Sequence, residues 1–167
     1  MAASPNYSVI DEPEDTITSL AQRETHSEQR PRPHRLTFVI RLPAGAEISW
    51  LDGVSRQLGR ILALEEGWDS YGGRRIKHES IRGVVQLLDR LGADVRAPAV
   101  YPASDGSVVL EWTTVAGALE IKVEGNERVS FYAEDLVGGS EIEKGEISQT
   151  TFLMDFLPKI AHLVPRV

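Results

Sequence analysis

The chain contains no cysteine. That absence excludes disulfides, thiolate nucleophiles, iron–sulfur clusters and thiolate zinc sites. Long apolar runs are missing as well, since no stretch approaches the roughly 18 apolar residues of a membrane helix. Nor does a cationic start lead into the apolar core of a secretory leader. The expectation is a soluble cytoplasmic protein with no membrane partner. Histidine is sparse: His26, His34, His78 and His162 are scattered without ligand spacing. No histidine metal site, catalytic triad or cofactor is expected from such spacing, and no residue is assigned a catalytic role.

Positive charge is the next shortage, with 18 Lys and Arg against 25 Asp and Glu and a formal net charge of -7. Residues 1 to 34 carry six acids and three bases, residues 35 to 96 ten bases and eight acids, and residues 97 to 167 five bases and eleven acids. Nucleic-acid binding over a broad surface needs a concentrated cationic face. Only the middle segment could supply even a local one.

What is present is a globular composition, 41% apolar and 26% charged over 167 residues. That length suits one ordinary domain plus a tail. Residues 1 to 34 hold scattered apolar side chains, an acidic cluster from Asp11 to Asp15 and a closing Arg30-Pro31-Arg32-Pro33. Too little apolar surface is available there to offset the entropy of ordering, so the segment reads as a disordered tail. An alternative is a short helical turn at Ile17, Leu20 and Ala21 that docks on a partner. Residues 35 to 167 read as a single domain.

Within it, alternation over 36 to 40 predicts a first strand. Ser49, with Asp52 three residues on, has the spacing of a helix cap, and Leu51, Val54, Leu58, Ile61 and Leu62 predict a first amphipathic helix. Ile81, Val84, Val85, Leu88 and Leu91 predict a second, with Gly92 at its end. Val100-Tyr101-Pro102 reads as a short edge strand, because proline donates nothing to a ladder. Three runs then alternate with period two: Val108, Leu110, Trp112; Leu119, Ile121, Val123; Val129, Phe131, Ala133. Short turns between them predict an antiparallel meander with one apolar face and one wet, largely acidic face. Residues 137 to 149 read as a loop or frayed edge strand. Leu153, Phe156, Leu157, Ile160 and Val164 predict a last helix, kinked at or starting near Pro158. The fold class is two-layer α+β, an antiparallel sheet of about four to five strands against two to three helices.

One stretch concentrates unusual chemistry: Gly67-Trp68-Asp69-Ser70-Tyr71-Gly72-Gly73, followed by Arg74, Arg75 and Lys77. It follows a helix and lacks the Lys-Ser/Thr ending, so it is neither a phosphate loop nor a dinucleotide fingerprint. In a purely architectural reading the glycines supply positive φ, Trp68 and Tyr71 plug the core, and Asp69 caps the local backbone. In a functional reading Arg74 and Arg75 meet an anionic group and Asp69 orients a hydroxyl or amine. Glu65, Glu66, Asp69, Glu111, Glu120 and Glu124 could pair for metal or acid–base work, but as a group they read as a solvated acidic face. Glu111 and Lys122 could form a cross-strand ion pair.

The GWDSYG block at 67 to 72, an amphipathic helix, then Pro102, Asp105-Gly106 and Glu111-Trp112 resemble a group of small uncharacterised bacterial and phage proteins. Those share a GWDSYG block followed by a P…DG…EW strand motif. The resemblance spans roughly residues 55 to 135. It implies that Trp68, Asp69, Tyr71, Glu111 and Trp112 act as one unit, and it brings no activity with it. The favoured expectation is a non-catalytic binding or adaptor protein of bacterial or phage type, antitoxin-like or immunity-like, that engages a protein partner through the 67 to 75 loop. One alternative is a small-ligand binder or hydrolase-type enzyme using Asp69 and Glu111 beside Arg74, Trp68 and Trp112. Another is nucleic-acid binding through Arg74 and Arg75.

Overall fold

The computed structural model describes residues 8 to 10, 37 to 39 and 48 to 167. The chain divides into two units, Met1–Ala46 and Glu47–Val167. In the first, β1 (Ser8–Ile10) pairs antiparallel with β2 (Thr37–Val39), in the register Ser8↔Val39. The strand expected at 36 to 40 is therefore present, and its hydrogen-bonding partner is β1. The remainder of the expected tail, with the turn at Ile17 to Ala21, lies outside the described residues.

The second unit is α+β. Helices α1 (Leu51–Leu62) and α2 (His78–Leu91) precede a five-stranded antiparallel sheet of β3 (Ala99–Pro102), β4 (Val108–Thr114), β5 (Gly117–Val123), β6 (Arg128–Asp135) and β7 (Ser140–Ser148). Spatial order equals chain order, so every connection is a hairpin. On one face Val108, Leu110, Trp112, Leu119, Ile121, Val123, Val129, Phe131 and Ala133 are buried. The period-two alternation puts them there, and α1, α2 and the C-terminal helical segment supply Val54, Leu58, Ile81, Val84, Leu88, Phe152 and Leu163 against them. Burying one such side chain is worth about 1.5–3 kcal/mol. The helices reach close: a Cβ on Gly83 of α2 would sit 2.0 Å from the Gly125 carbonyl oxygen, so only glycine permits this approach to the β5–β6 turn.

Three local features depart from the sequence reading. Ser49 does not cap α1; its hydroxyl lies 3.0 Å from Ala93 O and 2.5 Å from Val95 O, tying the helix start to the chain beyond α2. The helix begins instead after Trp50, whose indole N–H donates to Gly92 O at 3.1 Å and whose ring is 1% exposed.

Residues 140 to 148, expected as a loop or frayed edge strand, form a nine-residue edge strand, the second of those alternatives at full length. Ile142 and Ile147 lie five apart, an odd spacing that puts them on opposite faces of a regular strand. A bulge between the partners of Val129 and Phe131 adds one residue to β7, so Ile142 faces Ala133 and Ile147 faces Val129.

The last helix is broken into α3 (Gln149–Thr151), a π-helical turn at Phe152–Phe156, α4 (Leu157–Ile160) and a 3₁₀ turn at Ala161–Leu163. In the π-helical turn Leu157 N–H donates to Phe152 O, five residues back. Ahead of the extra residue Phe152 is buried and Leu153 and Phe156 are only partly covered, while beyond it Ile160 and Val164 are buried as their spacing predicts, with Leu163 beside them. Pro158 follows the π-helical turn at the start of α4, where its missing N–H is tolerated.

Candidate functional site

The connection from α1 to α2 is a closed loop. Gly67 N–H donates to Gly73 O at 2.7 Å, joining the ends of the seven-residue block, and Ser70 N–H donates to Gly67 O at 2.9 Å. Three residues adopt positive φ, Gly67 at 78°, Ser70 at 65° and Gly72 at 86°. Glycine takes such angles at no steric cost, and at Ser70 the surrounding bonds hold them. Asp69 organises the turn: its Oδ1 accepts from Tyr71 N at 2.9 Å and from Gly73 N at 2.7 Å. The backbone N–H groups of Tyr71 and Gly73 hold its carboxyl below the usual carboxylate range. A Cβ on Gly73 would lie 2.7 Å from the Asp69 carboxylate, so the second glycine of the pair leaves room for the cap.

The loop is also fastened from outside. Arg74 N donates to Ser104 O at 2.8 Å and Lys77 N to Gly106 O at 2.9 Å, which lays residues 74 to 77 along the β3–β4 turn with Ile76 buried beneath. Glu66 Oε2 accepts from Arg75 N at 3.1 Å, and Trp68 Nε1 donates to Arg74 O at 3.2 Å. In that same turn Asp105 pairs with Lys122 at 2.7 Å. Burial pushes the Asp105 carboxyl up, but the Lys122 ammonium and the Ser107 hydroxyl and N–H outweigh it and hold the group well below its ordinary value.

The side chains of this block divide sharply. Trp68 is partly buried against its own loop, whereas Tyr71 is 94% exposed and therefore does not plug the core. Arg74 and Arg75 are exposed, and neither forms an ion pair among the described residues. Tyr71, Arg74 and Arg75 thus share one surface segment around a fixed backbone.

Glu111 and Trp112 stand elsewhere. As neighbours in β4 they point to opposite faces of the sheet. Trp112 is 3% exposed, its indole N–H donating to Arg96 O at 2.8 Å. Glu111 lies on the open face opposite Ala99 and Glu120 and accepts from Thr113 Oγ1 at 3.0 Å. Both line a shallow depression with Arg96, Tyr101, Thr113 and Pro165, to which the 67 to 75 loop contributes nothing. Structure therefore brings Trp68, Asp69, Tyr71, Arg74 and Arg75 together and leaves Glu111 and Trp112 apart from them. The suggested Glu111–Lys122 pair does not form, because the register sets Lys122 opposite Val109 and Glu111 opposite Glu120.

Among the described residues no cluster of His, Asp and Glu has the arrangement to hold a metal ion. The anchoring of the loop on Ser104 and Gly106 is absent from the sequence reading. Its one visible signal is the Ser104-Asp105-Gly106 turn, whose glycine has φ 84° and would crowd Arg75 O if it carried a Cβ. Compared with family models, curated proteins and solved structures, the chain finds no match.

Proposed function

We propose that the chain is a non-catalytic binding module that engages a protein partner through the 67 to 75 loop, with Tyr71 as anchor and Arg74 and Arg75 as its cationic flank. The observation that carries this reading is a tyrosine 94% exposed on a loop whose backbone is fixed by the Gly67–Gly73 closure and the Asp69 cap. Tyrosine and arginine dominate binding hot spots, and a loop already held in shape loses little entropy on docking. The exposed guanidinium groups, without an ion pair among the described residues, suit an acidic patch on the partner. Its bacterial or phage, antitoxin-like or immunity-like character rests on the GWDSYG resemblance. The test is affinity capture from the native host with wild type and with Tyr71→Ala combined with Arg74→Ala and Arg75→Ala. The proposal expects a specific partner to be lost; an unchanged partner set with the fold intact would sink it.

A second reading shares the same residues, since an exposed aromatic beside exposed cations also suits a single-stranded nucleic acid. That reading expects retention on an RNA or DNA column to fall steeply with salt and to depend on Arg74 and Arg75. The small-ligand or hydrolase reading has less support. Asp69 Oδ1 is committed to two backbone N–H groups, and Glu111 lines a different depression.

A further inference from the structure

The two edges of the sheet are finished differently. At β3 the strand has four residues and ends at Pro102, and the Val100 N–H is taken by Gln57 Oε1 of α1 at 2.7 Å. At β7 the strand has nine residues and, among the described residues, no strand lies beyond it. The bulge falls after Lys144, so 140 to 144 stays in unbroken register with residues 131 to 135 of β6. No backbone hydrogen bond among the described residues uses the outer side of that stretch. An edge of this kind is a template for another strand.

Charge decides which strand. Glu143 stands opposite Tyr132 and Glu141 opposite Glu134, with Glu120 next in the Tyr132 row, all on the open face. On the same face Lys122 is engaged with Asp105 at 2.7 Å and Arg128 with Glu146 at 2.6 Å, while Lys144 lies in the register of Phe131, on the other face. Neither Glu141 nor Glu143 has an ion-pair partner among the described residues. A second copy is a poor occupant. Two-fold antiparallel pairing that keeps the faces continuous must centre on a residue. Centring on Ile142 opposes Glu141 to Glu143 twice, centring on Glu141, Glu143 or Lys144 opposes that residue to itself, and centring on Ser140 sets Glu141 and Ile142 against Gly139 and Gly138 of the turn, outside the strand. Like charges directly opposite repel.

We propose that residues 140 to 144 of β7 accept an extended cationic segment of a partner protein as a sixth strand, with Lys or Arg at alternate positions beside Glu141 and Glu143. The residues between them would lie on the side of Ile142. This surface is separate from the 67 to 75 loop and stands or falls independently of it.

The probe is a heptapeptide of alternating lysine and valine, titrated into the full chain and followed by amide resonances and hydrogen exchange. A peptide of identical composition with its lysines grouped at one end is the control. The proposal expects shifts and new protection confined to 140 to 144 and its β6 partners, and binding about tenfold or more weaker for the grouped peptide. Glu141→Lys with Glu143→Lys should abolish that binding and create affinity for an alternating glutamate–valine peptide. Equal binding of the two lysine peptides would overturn the proposal, because net charge alone would then explain it. Shifts mapping away from β7, or sedimentation showing two copies joined through β7, would overturn it as well. The peptide comparison needs no variant, so a charge reversal that failed to fold would not shield it.

Discussion

Asp69 is a residue whose chemistry is spent on its own backbone. Oδ1 accepts both the Tyr71 and the Gly73 N–H, so Asp69→Ala should release those two amides to fast hydrogen exchange, while Asp69→Asn, which keeps the acceptor, should retain most of the protection. Equal exchange in the two variants would contradict the capping role. Because its folded pKa is lowered, this contribution is complete above the ordinary carboxylate pKa of about 4 and is lost as pH falls through the lowered value. Asp89 on α2 has the opposite sign. Burial raises its pKa to about 6, with Arg90 opposing, so the folded state binds the proton more tightly than the unfolded chain does. Stability should then fall as pH rises from about 4 to about 6 and stay reduced above. Asp89→Asn is expected to stabilise the protein by about 1 kcal/mol near pH 8, a figure discounted because the side chain is partly in solvent, and to change little near pH 4. Denaturation at the two pH values checks both the sign and the window. Residue type alone foretold neither Tyr71 nor Trp50. A loop has no period from which burial can be read, and Trp50 sits one position outside the helical stripe that was visible.

At the scale of elements, Gln149 holds three of them together. Fully buried, its Nε2 lies 3.0 Å from Gly83 O of α2 and 3.0 Å from Asn126 O in the β5–β6 turn, and α3 begins at this residue. Gln149→Leu keeps much of the volume and removes both bonds, the buried one to Gly83 O among them, so a loss of about 1–3 kcal/mol is expected in chemical denaturation. A change below a few tenths would show that water replaces the amide. The meander was legible because alternation over β4, β5 and β6 matches burial residue for residue. Helices α1 and α2 were legible for the same reason at the helical period. What escaped has one cause in two places: an inserted residue breaks the period. The bulge in β7 puts Ile142 and Ile147 at an odd spacing that blurs the edge strand, and the π-helical turn at Phe152–Phe156 leaves Phe152 rather than Leu153 in the core ahead of Ile160 and Val164. Sequence periodicity assumes constant pitch and cannot register either.

For the whole molecule, the unit Glu47–Val167 carries a buried apolar core of its own that runs from Trp50 to Val164. A fragment starting at Glu47 is therefore expected to unfold cooperatively, followed by the emission of Trp50 and Trp112, which are 1% and 3% exposed. A broad, sloping transition would show instead that residues 1 to 46 are needed for the fold. The candidate site was half legible at this scale. The GWDSYGG block announced itself by composition, but the separation of Glu111 and Trp112 from it follows from strand parity and register, which only the assembled sheet displays. The closure between Gly67 and Gly73 reaches further, into protease sensitivity. Chymotrypsin prefers to cut after an accessible tyrosine, and Tyr71 is 94% exposed, yet a protease must draw out an extended segment on both sides of the scissile bond. Nicking after Tyr71 would then be slow and would track the opened population of the loop. The bond makes the tyrosine of the block a poor substrate despite its exposure, and a gel is enough to see it.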